Sequence, residues 1–240
     1  MFGIEVIPCI QTLGHLGQIL QWNLAFSSVT DTSEILLANE PKTYALIEEM
    51  IDCVSGPFRS KKVHLGMDET VGIGSHERHF GKRAPKDLYK DHLYKVLEIC
   101  QRKSIKPLIW SDMLFCSNPS KPSYYDSGSC TLDLDPNYTR HLGLVYWNYY
   151  HTSSQSYEEK IDAHSQVIGS PQVWVASGLW SWNRLWAATQ FSIVSNEACM
   201  TAIKKKSKIV RHAFTTAWGD DGNECNLQVD IDNNITLKMI

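Results

Sequence analysis

Two acidic side chains stand side by side in Val63-His64-Leu65-Gly66-Met67-Asp68-Glu69-Thr70, directly after an apolar run that reads as a strand. Successive side chains on a regular strand point to opposite faces. Both carboxylates can enter one pocket only if the backbone leaves strand geometry there, and Gly66 permits such a departure. Two carboxyl groups in one pocket oppose each other's ionisation, so the more buried one keeps its proton. An acid beside an anion is the pairing that cleavage of a glycosidic bond uses. A solvated acidic turn after a strand is the plainer alternative, and the residue types alone do not decide between them.

Other polar and aromatic residues gather at the ends of further strand-like runs. Gln11 and His15 follow the first run, Trp110 and Asp112 the third, and Trp147, Asn148, Tyr149 and Tyr150 the fourth. Trp180 and Trp182 come after the fifth, then Trp218, Asp220 and Asp221 after the sixth. An indole face suits the apolar C–H face of a pyranose, whereas the rim of sugar hydroxyls requires charged or amide partners. Any one tryptophan could equally be a packing residue, but their accumulation at one end favours a carbohydrate pocket. His15 is placed to hydrogen-bond Glu69, although a lone histidine is more often satisfied by loop backbone. His64, inside an apolar run, reads as a structural hydrogen-bonder. The spacing of His15, His64 and the carboxylates matches no strong metal motif, so neither a metal nor another cofactor is expected.

The elements that must position these residues alternate between strands and helices, the pattern of a parallel sheet wrapped by helices. Strands are predicted over Ile4–Ile10, Lys62–Gly66, Lys106–Trp110, Gly143–Trp147, Gln172–Ala176 and Ala213–Trp218. Asn39-Glu40-Pro41 reads as an N-cap, an acidic first turn and an early proline, followed by a stripe of Tyr44, Ile47, Ile51 and Val54. Leu93, Val96, Leu97 and Cys100 repeat at helical spacing, and further helices are predicted over Tyr157–Val167 and Ala187–Lys205. Cys116–Tyr138, rich in Ser, Pro, Asp and Gly, reads as an irregular excursion.

Composition narrows the class. The chain has 240 residues, 43% hydrophobic and 20% charged, and is close to the roughly 250 residues of a parallel α/β barrel. A net charge of −3 carries no footprint for nucleic acid. No apolar run approaches the length of a membrane span, and no signal peptide is visible at the first residues, which leaves the compartment open. Lys204, Lys205, Lys206 and Lys208 read as a solvated helix end. The seven cysteines show no CxxC spacing, and Cys9, Cys53, Cys100 and Cys199 read as small buried hydrophobes.

The segment His64-Leu65-Gly66-Met67-Asp68-Glu69 resembles the His-x-Gly-x-Asp-Glu signature of glycoside hydrolase family 20, the β-N-acetylhexosaminidases, and most of all its hexosaminidase D-like branch. Glu5–His15, Ile109-Trp110-Ser111-Asp112, Val145-Tyr146-Trp147-Asn148-Tyr149 and Ala217-Trp218-Gly219-Asp220 are similar to segments at the third, fifth, sixth and eighth strands of that family. The resemblance runs in order from residue 4 to about residue 226. It implies an α/β fold, a (β/α)8 TIM barrel seen from its third strand onward and lacking the first two βα units, with residues 1–240 forming a single, incomplete catalytic domain.

The resemblance further implies an exo-acting, retaining enzyme that releases terminal β-linked GlcNAc or GalNAc from an amino-sugar glycoconjugate. Catalysis would be substrate-assisted, through an oxazolinium formed by the sugar's own acetamido group. Glu69 would be the general acid and base, and Asp68 would hold the acetamido N–H. Trp110, Trp147 and Trp218 would wall the sugar, with His15 beside Glu69. Tyr149 would donate to the acetamido oxygen, Trp182 would close the pocket and Asp220 would accept hydroxyls. The family includes dimers, so a homodimer is compatible with it. Where the lysosomal enzymes have Asp-x-Pro-Gly-His, this chain reads Gln11-Thr12-Leu13-Gly14-His15, which turns an Asp–His relay into Gln–His. The family's first-strand arginine has no counterpart, and the match decays after Glu224. These departures support a competing reading, a catalytically inactive, truncated homologue that at most binds carbohydrate. A metal-dependent barrel hydrolase would require a His-x-His after an early strand, which the sequence does not contain.

Overall fold

The computed structural model describes residues 4–119, 124–167, 172–183 and 187–219. In chain order the elements are α1 (Gly17–Leu20), α2 (Asn23–Phe26), α3 (Pro41–Ser55), β1 (Lys62–His64), α4 (Pro85–Arg102), β2 (Lys106–Trp110), α5 (Pro136–Thr139), β3 (Gly143–Trp147), α6 (Ser154–Ser165), β4 (Gln172–Leu179), α7 (Thr189–Lys205) and β5 (Val210–Ala217). The sheet order is β1-β2-β3-β4-β5, the same as the chain order. β1, β2 and β3 pair in parallel, with His64 opposite Leu108 and Trp110 opposite Val145. A parallel neighbour requires a crossover, and the intervening helices supply it. Strand and helix therefore alternate as in an α/β barrel. The chain divides into two compact units, one of Met1–Val145 with Ala163–Val173, the other of Tyr146–Asp162 with Trp174–Ile240.

In the first unit α3 packs on α4, and α4 on β2. Ile47 and Ile51 of α3 and Leu93, Val96, Leu97 and Cys100 of α4 are buried, as their spacing predicts. Each large apolar side chain so buried contributes about 1.5–3 kcal/mol. Two histidine-centred networks stitch this core to its loops. His92 is fully buried, and burial pulls its pKa down to about 4. The neutral ring must donate from Nε2 to the Thr12 carbonyl (2.9 Å), which can only accept, so Nδ1 accepts from the Tyr44 hydroxyl (3.2 Å). The second network joins His164 Nε2 to Ser111 Oγ at 2.7 Å, with the Tyr125 hydroxyl 3.0 Å from the same oxygen.

In the second unit β4 is buried along almost its whole length, and Tyr157 of α6 bonds Ser195 of α7 at 2.9 Å. Lys205 and Lys206 pair with Glu158 and Asp162, while Lys204 and Lys208 are exposed. The basic run is thus a helix end, partly tied to α6. Among the described residues no helix is long and apolar enough to cross a membrane.

Several expectations are corrected. Ile4–Ile10 does not form a full strand; it makes one parallel bridge, Cys9 to His64, with the Ile10 N–H donating to the His64 carbonyl at 2.9 Å. Ile4 and Val6 are 79% and 55% exposed, so little packing holds the start of that run straight. β1 stops at His64 rather than Gly66 because Gly66 and Met67 adopt positive φ, +68° and +73°. β4 runs three residues further than expected, to Leu179, and β5 begins at Val210 rather than Ala213. The N-cap of α3 is Glu40, whose carboxylate accepts from the Lys42 N–H at 3.3 Å, not Asn39, which sits at φ +59°. Cys9 and Cys53 are exposed, unlike Cys100 and Cys199.

Candidate active site

The peptide after β1 solves the problem that two adjacent carboxylates pose. Gly66, Met67 and Glu69 all take left-handed φ, at +68°, +73° and +49°. For a residue with a Cβ each such value costs on the order of 1–3 kcal/mol and persists only where the surroundings over-determine it. Here they do. Gly66 N–H donates to His64 Nδ1 at 3.1 Å and its carbonyl accepts from Trp110 N–H at 3.0 Å. Met67 N–H donates to Gln11 Oε1 at 3.3 Å, and the buried Tyr89 hydroxyl donates to the Met67 carbonyl at 3.2 Å. Glu69 N–H donates to Asp112 Oδ2 at 2.9 Å. Four side chains from four different segments therefore hold one irregular peptide.

The outcome is a pair facing one way. His15 Nε2 lies 3.4 Å from Asp68 Oδ2 and 3.4 Å from Glu69 Oε2, so the two acids share a single cationic neighbour. Their side chains are 15% and 33% exposed, against 46% for His15. Neither acid is turned out into bulk water, while both remain reachable from it. Hydrogen bonds first to Asp68 and then to Glu69 raise the His15 pKa to about 10, so the ring is an imidazolium at neutral pH. His15 itself sits at φ +54°, in a loop pinned where Thr12 Oγ1 donates to the Leu65 carbonyl at 2.8 Å.

His15 yields a stability prediction of definite sign. Its pKa is about 10 in the folded protein against 6.5 for a free histidine, so its contribution is fully present below about pH 6.5 while the acids are ionised. It is lost as pH rises through about 10. The denaturant midpoint of the wild type should exceed that of His15→Gln near pH 6 and converge with it above about pH 10. A gap that stays constant across that range would refute the ion pair. Half-exposure of the ring keeps the gap modest, because water screens it.

The remaining candidates divide between the units. Trp110 is buried at the end of β2, its ring tilted against His64 with centroids 4.5 Å apart. His64 is structural, as expected. Its Nδ1 accepts a backbone N–H, and burial pulls its pKa down to about 4. In the second unit Trp147, the last residue of β3, stacks on Tyr149 at 5.5 Å, and Tyr149 meets Trp182 edge to face at 5.0 Å. Trp218 Nε1–H donates to the Tyr149 hydroxyl oxygen at 2.9 Å. A Cβ on Gly178 would stand 2.9 Å from the Tyr149 ring and 2.3 Å from Thr216 Oγ1, so only glycine leaves that ring its place. Trp147, Tyr149, Trp182 and Trp218 thus form one aromatic cluster, which Tyr150 and Trp180 extend. Asp220 lies outside the described residues.

Two residues in the first unit carry more weight than the sequence suggests. Asp112 is fully buried and grips the Glu69 backbone; its place one residue past Trp110-Ser111 was legible, its task was not. Tyr124 lies in the irregular excursion. Burial, and then the negative charges of Glu69, Asp112 and Asp68, push its phenol above the ordinary tyrosine range, which places it near all three acids. Among the described residues no group of three or more His, Cys, Asp and Glu is arranged to hold a metal ion.

Known proteins resemble this chain in sequence and in fold. No family model matches the chain. Hexosaminidase D of Homo sapiens is 28% identical over 193 residues, which is 72% of this chain and 36% of that protein. The chain therefore spans little more than a third of that relative's length. In fold it is similar to a family 20 exo-β-N-acetylglucosaminidase of Vibrio harveyi solved in complex with N-acetylglucosamine, with a TM-score of 0.59 at 13% identity, over 92% of this chain and 36% of that one. Dispersin B gives a TM-score of 0.56 at 16% identity, over 96% of this chain and 69% of its own. These structures share the α/β barrel fold, here in part. The chain is thus similar in sequence to hexosaminidase D, and in fold to solved β-N-acetylhexosaminidase barrels, over the part of those proteins that it spans.

Proposed function

We propose that the protein is a retaining exo-β-N-acetylhexosaminidase that releases terminal β-linked GlcNAc or GalNAc, with residues 1–240 acting as one catalytic domain. The observation that carries this reading is the left-handed peptide that turns Asp68 and Glu69 toward the same histidine. In the proposed reaction Asp68 accepts the acetamido N–H of the bound sugar and offsets the positive charge that develops as its carbonyl oxygen attacks the anomeric carbon. Glu69, although the more exposed of the two acids, is the one assigned the proton at this step, and gives it to the leaving glycosidic oxygen as that bond breaks. Glu69, now a carboxylate, takes a proton from the water that opens the oxazolinium. Two inversions at the anomeric carbon leave its configuration retained.

The aromatic residues take supporting parts in this proposal. Trp110, Trp147 and Trp218 wall the sugar and its acetamido group, and Trp182 closes over it. An indole N–H can only donate, so the Tyr149 oxygen is the acceptor toward Trp218 and its own O–H is a donor; the acetamido carbonyl is the proposed recipient. Asp220 would accept hydroxyls at the non-reducing end.

Acetamido dependence is the direct test. A 2-acetamido aryl β-glycoside should be hydrolysed at least ~100-fold faster than the matching aryl glucoside, because only the former supplies the nucleophile. Equal rates on the two substrates would eliminate the substrate-assisted route. Binding of N-acetylglucosamine by a folded protein with no hydrolysis of either substrate would select the carbohydrate-binding reading instead.

A further inference from the structure

We infer that Gln11 is a positioning residue for Asp68: its side-chain amide holds Oδ1 and so fixes the orientation in which the carboxylate meets an incoming acetamido N–H. The inference rests on the catalytic reading above and adds to it a residue that the sequence presents only as a departure.

Geometry settles the orientation of the amide. Met67 N–H can only donate, so the atom that it meets at 3.3 Å is the amide oxygen of Gln11. The other end is therefore the NH2 group, and it donates to Asp68 Oδ1 at 3.0 Å. Asp68 Oδ2 faces His15 Nε2 at 3.4 Å. The two oxygens of Asp68 thus have different partners, a neutral amide donor on Oδ1 and an imidazolium on Oδ2. The expected Gln–His relay is replaced: Gln11 reaches Asp68 directly.

The fit is tight on every side. A Cβ on Gly66 would lie 1.8 Å from Gln11 Oε1, so the amide occupies the space that this glycine leaves open. The next residue holds the loop, with Thr12 N–H and Oγ1 both donating to the Leu65 carbonyl, at 3.1 Å and 2.8 Å. One side chain therefore both braces the left-handed Met67 and orients the acid that follows it.

The chemistry explains why an amide matters at this position. Gln11 donates to Asp68 with no proton to lose at any ordinary pH. A carboxylate in its place would face the Asp68 carboxylate at hydrogen-bond distance and repel it unless a proton lay between them. The charged groups around that contact are Asp68, Glu69 and His15, with the Cys9 thiol close enough to feel the Asp68 charge. An acid at this position would need that shared proton, whereas the amide does not.

The isosteric variant Gln11→Glu separates orientation from mere packing. Protonated, the introduced carboxyl can donate to Asp68 Oδ1 and accept from Met67 N–H as the amide does; ionised, it cannot donate. Against wild type at the same pH, Gln11→Glu should lose ~10-fold or more in kcat at about pH 7.5 and recover to within about threefold at about pH 4.5. Its denaturant midpoint should fall at neutral pH, recover in acid, and lose the neutral-pH penalty when combined with Asp68→Asn. Wild-type kcat and midpoint at neutral pH would overturn the inference. So would a loss that does not recover in acid, or a penalty unchanged by Asp68→Asn. If the wild type hydrolyses no 2-acetamido glycoside, the catalytic reading fails, while the midpoint cycle still reads whether Gln11 and Asp68 are coupled.

Discussion

Glu69→Gln should lower kcat by ~100-fold or more on a 2-acetamido glycoside with a poor leaving group, with KM little changed. The loss should shrink on a dinitrophenyl glycoside, whose leaving oxygen departs without needing a proton. Asp68→Asn should cost a similar ~100-fold factor, but with no such rescue, since the developing oxazolinium charge is the same whatever the leaving group. The contrast follows from the geometry: both acids meet one histidine at 3.4 Å, yet only one is assigned the proton transfer. Steady-state rates of both variants on the two substrates decide the matter. Wild-type turnover in either variant removes the role given to that residue, and equal rescue of both would collapse the division of labour.

Asp112→Ala should be the most damaging change outside the pair. Asp112 is fully buried, and its Oδ2 accepts the Glu69 N–H at 2.9 Å, which holds a glutamate at φ +49°. Removing the acceptor strands a backbone donor and releases the strain, at a cost of about 1–3 kcal/mol. Since Glu69 then loses its fixed backbone, kcat should fall by ~10–100-fold. Asp112→Asn keeps an acceptor oxygen in place and should retain most of both quantities. Denaturant unfolding and turnover of the two variants, measured together, provide the check. An alanine variant as stable and as active as wild type would show that the left-handed peptide holds itself.

The site was readable in the sequence to different depths. The pair was visible because Asp68-Glu69 follows an apolar strand and a glycine, and the expected escape from strand geometry at Gly66 is present. The spread of that escape to Met67 and Glu69 was not visible. Neither residue favours positive φ, and only partners distant in sequence, Gln11, Tyr89 and Asp112, hold them there. Gln11 looked like a weakened relay because sequence spacing says which residues are neighbours in the chain, not which oxygen an amide meets. The aromatic cluster was partly legible: Trp147, Tyr149, Trp182 and Trp218 were singled out as strand-end aromatics, but the bond from Trp218 to the Tyr149 hydroxyl joins residues 69 apart.

Local chemistry was enough to establish the alternation of strands and helices, the buried stripes of α3 and α4, and the placing of acids after β1 and β2. Each of these depends on residues within a few positions of one another, where side-chain period and glycine freedom act directly. The direction in which Asp68 and Glu69 point, the proton held by His15 and the grip of Asp112 were decided only by tertiary structure. Strain and charge at those atoms are balanced by groups brought from other strands and loops, and no spacing along the chain encodes that balance.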